Sequence, residues 1–255
     1  TVPAGELRFM GARRTENLLT YSEDFSNAAW SKTLLTVTAN AITAPDGTLT
    51  ADKVSPGSEV TQHFLSKSTT AALNTNHCIS VYAKAGEMSW VRLTFGDGIN
   101  SVYYDLANGT VGNNLSGVIS SGIEDAGNGW FRCWNVAQNS SNTTVYIFSA
   151  TANSGQTVSG GNSSDGIYIW GAQLEASDTM GVYVPTTDSP ASGGYPLRPW
   201  SYIPTDQTPW PKQYDTYAPW KASEVLALGQ RRKIDVNGKG MYVECSTAGT
   251  TGGTE

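Results

Sequence analysis

Two Trp-x-Arg triplets, Trp90-Val91-Arg92 and Trp130-Phe131-Arg132, the second followed by Trp134, are the residues of this chain best equipped to hold a ligand. On an extended backbone successive side chains alternate, so each Trp shares a face with its Arg while Val91, Leu93, Phe131 and Cys133 take the other. An indole offers an apolar face to a pyranose ring, and a guanidinium offers a planar fork of donors to carboxylates or sugar hydroxyls. Tyr103 and Asp105, sharing one face of the next strand, extend the set. The same residues have an internal use: Trp packed under a loop, and each Arg bridged to an acid such as Glu87, Asp105 or Glu175. Both uses stay open at this level.

Catalytic chemistry has little to build on. His63 and His77 are the only histidines, and none of the motifs HExxH, GxSxG, GxGxxG or GxxxxGK[ST] occurs. A carboxylate pair could still converge from distant positions, but the expectation is a binder and not an enzyme. Cys78, Cys133 and Cys245 are widely spaced and in no CxxC arrangement, which points to partly buried thiols rather than a zinc site or a disulfide framework. A net charge of -6 repels phosphate backbones, so nucleic acid is not an expected partner. No stretch approaches the ~20 unbroken apolar residues that span a bilayer, and no membrane insertion is expected.

The elements that must position these side chains are strands. Only 15% of the 255 residues are charged and 27 are Gly. Asp46-Gly47, Asp97-Gly98, Asn108-Gly109, Asn128-Gly129 and Asp165-Gly166 supply the positive φ of tight hairpins between β-branched and aromatic runs. Strands are expected at residues 77–85, 89–95, 101–106, 129–138, 143–151 and 166–175, with weaker ones at 34–43 and 60–66. That pattern predicts an all-β chain, a jelly-roll β-sandwich, rather than a doubly wound α/β fold.

Beyond the sandwich, six of the 11 prolines fall within Tyr195 to Trp220, together with Trp200, Trp210 and Trp220. Extended, proline-stiffened backbone loses little entropy on docking, so this segment reads as an assembly contact rather than a solvated linker. Three short strands, at 225–228, 231–236 and 240–245, are expected to form a small C-terminal β unit turning at Asn237-Gly238. The domains are therefore residues 1–16, an N-terminal arm; 17–187, the jelly roll; 188–219, the Pro/aromatic docking arm; and 220–255, the small β module.

Specific segments carry a family resemblance: Asn17-Leu-Leu-Thr-Tyr-Ser-Glu-Asp-Phe-Ser-Asn-Ala-Ala-Trp30, Ala51-Asp-Lys-Val54, Gly129-Trp-Phe-Arg132, Ile169-Trp-Gly-Ala-Gln-Leu-Glu175 and Tyr183-Val-Pro-Thr-Thr187. In this order they resemble the carbohydrate-binding-module-like jelly roll of tailed-bacteriophage virion proteins, particularly tail fibres. The piece from Trp220 to Glu255 resembles a small β module also common in phage tail proteins. The resemblance implies a virion structural protein of a tail or capsid appendage, made in a bacterial cytoplasm, with a sandwich face for glycans or a host surface. Other virion proteins and further copies of the chain are its implied partners. No cofactor is implied, although Glu23, Asp24, Asp165 and Glu175 could supply oxygens to a structural calcium, as in related jelly rolls. Two alternatives remain: a scaffold or capsid-decorating protein that binds no sugar, and an accessory module of a polysaccharide-degrading enzyme.

Overall fold

The structure is a computed structural model. It describes residues 15–96, 98–139, 141–153 and 164–193, and the backbone of four short strands between 225 and 250. Contacts divide the chain into two compact units, Arg14–Gly193 and Thr1–Arg13 with Gly194–Glu255.

The first unit is a β-sandwich of two six-stranded sheets in which every described strand pair is antiparallel. Sheet I contains β3 (Leu35–Ile42), β4 (Ala51–Pro56), β6 (Asn76–Ala85), β10 (Val118–Gly127), β11 (Trp130–Gln138) and β13 (Ile167–Glu175), in the order β10-β11-β6-β13-β4-β3. Sheet II contains β2 (Ser31–Thr33), β5 (Phe64–Ser68), β7 (Trp90–Phe95), β8 (Ser101–Asp105), β9 (Thr110–Asn114) and β12 (Thr144–Ala150), in the order β2-β5-β12-β7-β8-β9. The chain crosses repeatedly between the sheets, as a jelly roll requires. A separate short ladder joins β1 (Thr15–Asn17) to β14 (Ala191–Gly193).

Alternation fills the space between the sheets. Ile79, Val81 and Ile169 of sheet I meet Leu65, Leu93 and Ile147 of sheet II, all essentially inaccessible to water. Each such side chain contributes ~1.5–3 kcal/mol by its burial. The polar partners in each alternation face outward, which is how the sequence pattern delivers its Trp and Arg residues to the two outer faces. The tight Asn128-Gly129 turn, with φ of 54° and 78°, joins β10 to β11 and sets the register of the second triplet.

In the second unit, β15 (Val225–Leu226) pairs with β18 (Gly249–Thr250), and β16 (Arg231–Val236) with β17 (Lys239–Glu244). The expected three-stranded unit is thus two separate two-stranded ladders among the described residues. Trp200, Trp210 and Trp220, the expected assembly contacts, lie outside the described residues, as does Cys245.

Candidate functional site: two outer faces

The two Trp-x-Arg triplets do not converge. β7 belongs to sheet II and β11 to sheet I. Since Val91 and Leu93 of one strand and Cys133 of the other are buried in the shared core, the triplets lie on opposite outer faces of the sandwich.

On sheet I much of the outer face is covered by the chain itself. The segment Gly181–Thr187 runs over it and takes up its polar groups. Arg132 donates through Nη1 to Gly181 O (2.8 Å) and through Nη2 to Ser80 Oγ (3.0 Å), and its guanidinium lies 5.3 Å from the Tyr82 ring. Gln173 donates to Val182 O and accepts from Val184 N, while Glu175 accepts from Gly181 N. Trp130 is 2% exposed, donates its indole N–H to Thr43 O and packs with Ala44, Ala51 and Trp170. It has no open face for a sugar to stack on, and Arg132, 7% exposed, is likewise a packed residue. Trp134 is half-buried, with its ring over Gly122, where an added Cβ would come within 2.6 Å of it.

The quoted motifs explain this closure. Gly171, at φ 62°, makes the bulge between Trp170 and Gln173 that brings both side chains to the outer face. A Cβ there would come to 3.0 Å from Tyr82 and 3.1 Å from Tyr183, so glycine also lets the covering segment approach. Asn17 ties the ends together: its amide donates to Ala172 O and Val184 O, and its oxygen accepts from Leu19 N and Leu174 N. Tyr183 bonds to Ser22 and Glu23 and packs on Trp170 at 4.9 Å. Burial, partly offset by the Tyr183 hydrogen bond, raises the Glu23 pKa above the usual carboxylate range.

Sheet II presents a different face. Register places Trp90 opposite Asp105 and Ala150, and Arg92 opposite Tyr103 and Phe148. Phe64 and Tyr146 continue the face, with Phe64 at 5.1 Å from Phe148 and 5.6 Å from Tyr146. Trp90, Phe64 and Tyr146 are half-buried, whereas Tyr103, Asp105 and Phe148 are buried. The Arg92 guanidinium lies 4.2 Å from the Phe148 ring and 5.7 Å from Tyr103. It is 6% exposed, Nε donates to Ser101 Oγ (3.1 Å), and Nη1 has no hydrogen-bond partner. Burial pulls its pKa below the ordinary arginine value. A desolvated cation–π contact is worth about 2 kcal/mol, less than the several kcal/mol that burying an uncompensated charge costs.

None of the acids expected to bridge the arginines does so among the described ion pairs. Glu87 pairs with Lys53 (2.8 Å), and Asp105 caps the following turn by accepting from Ala107 N, Asn108 N and Asn108 Nδ2. The four acids considered for calcium are not gathered: among the described residues no group of three or more His, Cys, Asp or Glu is placed to hold a metal. Phe148 and Tyr146 were not singled out from the sequence, although their alternation within 143–151 is the signal that places both on the outer face. Trp170 and Tyr183 stood inside the resemblance motifs, but nothing in spacing alone joins them to Trp130.

No family model and no curated protein matches the chain. Among solved structures it is similar to the enzymatically active domain of tailspike protein 4 of bacteriophage CBA120, at 15% identity and a TM-score of 0.37. The match covers 62% of this chain and 21% of that one, so the chain spans about a fifth of that structure's length. The chain is thus similar in its β fold to part of a phage tail protein. That protein's domain is described as enzymatically active, which stands against the expectation of a non-enzymatic chain. A TM-score this low carries no catalytic residue or substrate across.

Proposed function

We propose that this chain is a component of a phage tail or related virion appendage, and that the outer face of sheet II makes its contact with a glycan or host surface. The observation that carries the reading is the unpaired Arg92 lying across Phe148 beside the half-buried rings of Trp90, Tyr146 and Phe64. Aromatic faces suit the apolar sides of sugar rings, and a guanidinium suits their oxygens. Trp90 and Arg92 are the residues assigned to this contact, with the buried Tyr103 and the turn-capping Asp105 behind them; Trp130, Arg132 and Trp134 support the opposite face. The resemblance of residues 17–187 to virion jelly rolls supports the setting. In it, other virion proteins and further copies of the chain are partners, and residues 188–219 are the docking arm. Several copies on one particle would raise avidity without new contacts.

The test is adsorption of the purified protein to host cells, with and without Trp90→Ala. Loss of one stacking ring weakens binding by about 1 kcal/mol per copy, roughly five-fold, with the melting temperature little changed. Unchanged adsorption per folded molecule would remove this face from the contact.

A further inference from the structure

We infer that Arg92 is the recognition point for a carboxylate, so that the glycan taken by the outer face of sheet II is an acidic one. The inference rests on the reading of that face as the adhesive one and adds the class of sugar.

The two triplet arginines make the case by contrast. Both are more than nine-tenths buried. Arg132 has each Nη group bound to an oxygen of its own chain and only Nε left over, whereas Arg92 is tied through Nε and its Nη1 has only the Tyr103 hydroxyl nearby, without a well-aligned hydrogen bond. The Tyr103 hydroxyl is close enough to favour the Arg92 charge, yet neither it nor Nη1 makes a hydrogen bond of acceptable geometry. Asp105, the acid on the same face, has both oxygens engaged by the turn at Ala107 and Asn108. The guanidinium plane is fixed by Phe148 and Tyr103 and by Ser101, whose hydroxyl is itself bonded to Thr94 and to Gly98 O.

A buried, oriented cation with no ion pair among the described residues is what a carboxylate-binding group looks like before its ligand arrives: two parallel N–H···O bonds to a planar carboxylate would satisfy the Nη edge and its charge together. Nη1 is buried, and Nη2 is the side of the guanidinium nearest exposed Gly98, where an added Cβ would come to 4.0 Å from it. The aromatic rings beside it would take the faces of the flanking sugars.

The experiment titrates the full chain with galacturonate-, glucuronate- and sialate-bearing oligosaccharides, each beside its carboxyl-reduced counterpart. At least one acidic member is expected to bind ten-fold or more tightly than its reduced form. The preference should vanish in Arg92→Gln and fall in Gly98→Leu, which crowds the Nη edge without altering the guanidinium. Should Arg92→Gln fail to fold, Gly98→Leu decides. Equal binding of acidic and reduced forms would overturn the inference and leave the adhesive reading intact, as would a preference that persists in both variants. Binding of neither form overturns the inference as well; whether the adhesive reading falls with it is read from adsorption of the wild-type chain to host cells.

Discussion

The same short motif, Trp-x-Arg, is used in opposite ways on the two sides of this sandwich. On sheet I, Arg132 and Trp130 are fastened to the chain's own backbone at Gly181 and Thr43 and buried beneath a covering segment. On sheet II, Arg92 keeps an unpartnered Nη1 and Trp90 remains half-buried beside other rings. Residue type and alternation put both pairs on an outer face; what lies over that face decides their use. The difference originates in the segments Asn17–Trp30 and Tyr183–Thr187, which knit together across sheet I through Ser22, Leu19 and Thr186.

The comparison can be broken most forcefully at Trp130. Trp130→Ala removes a buried ring and an indole hydrogen bond, and is expected to cost ~3–5 kcal/mol, read as a lower urea midpoint. Adsorption per folded molecule should stay the same. An unchanged midpoint would mean that the sheet I triplet is not a packing element. Asn17→Ala comes next: it deletes four buried hydrogen bonds that hold the covering segment and is expected to cost roughly 3 kcal/mol, with unsatisfied backbone groups left behind. Faster hydrogen exchange at Val184 and Thr186 would place the loss in that segment.

Gly171→Ala tests the bulge. Its positive φ and the nearby Tyr82 and Tyr183 rings make a methyl group cost about 1–2 kcal/mol, again without effect on adsorption. The smallest effect is a pH signature. The folded-state pKa of Glu23 is raised by burial, so its contribution to stability is present below the unfolded value of about 4.3 and is lost as pH rises through the folded value. Glu23→Gln keeps an acceptor for the Tyr183 hydroxyl and cannot ionise. Its melting temperature should therefore gain on that of the wild type between pH 4 and pH 7; a difference independent of pH would refute the sign.

The sandwich was legible because turn dipeptides and period-two runs alternate: β6, β7, β8, β11, β12 and β13 match their expected spans within one or two residues at each end. The expectation at 60–66 lies a few residues early, since β5 begins at Phe64. Strands β4, β9 and β10 and the three-residue strands β1, β2 and β14 were missed. Val118–Gly127 is rich in Ser, Gly and acids and takes its strand form from pairing with β11 at the edge of sheet I, a tertiary effect that propensity does not carry. The face of each Trp and Arg could be read from alternation. Which face is covered could not, because the covering segment is anchored in part by hydrogen bonds between positions more than 150 residues apart, such as Asn17 to Val184.

The central claim is that ligand contact belongs to sheet II. Hydroxyl-radical footprinting of the chain, alone and saturated with host-surface polysaccharide, tests it most directly, because half-buried aromatic residues report on both faces at once. The account predicts protection at Trp90, Tyr146 and Phe64, with Tyr82, Tyr168 and Tyr183 unchanged. Protection of the sheet I tyrosines, with Trp90 and Tyr146 unaffected, would contradict it.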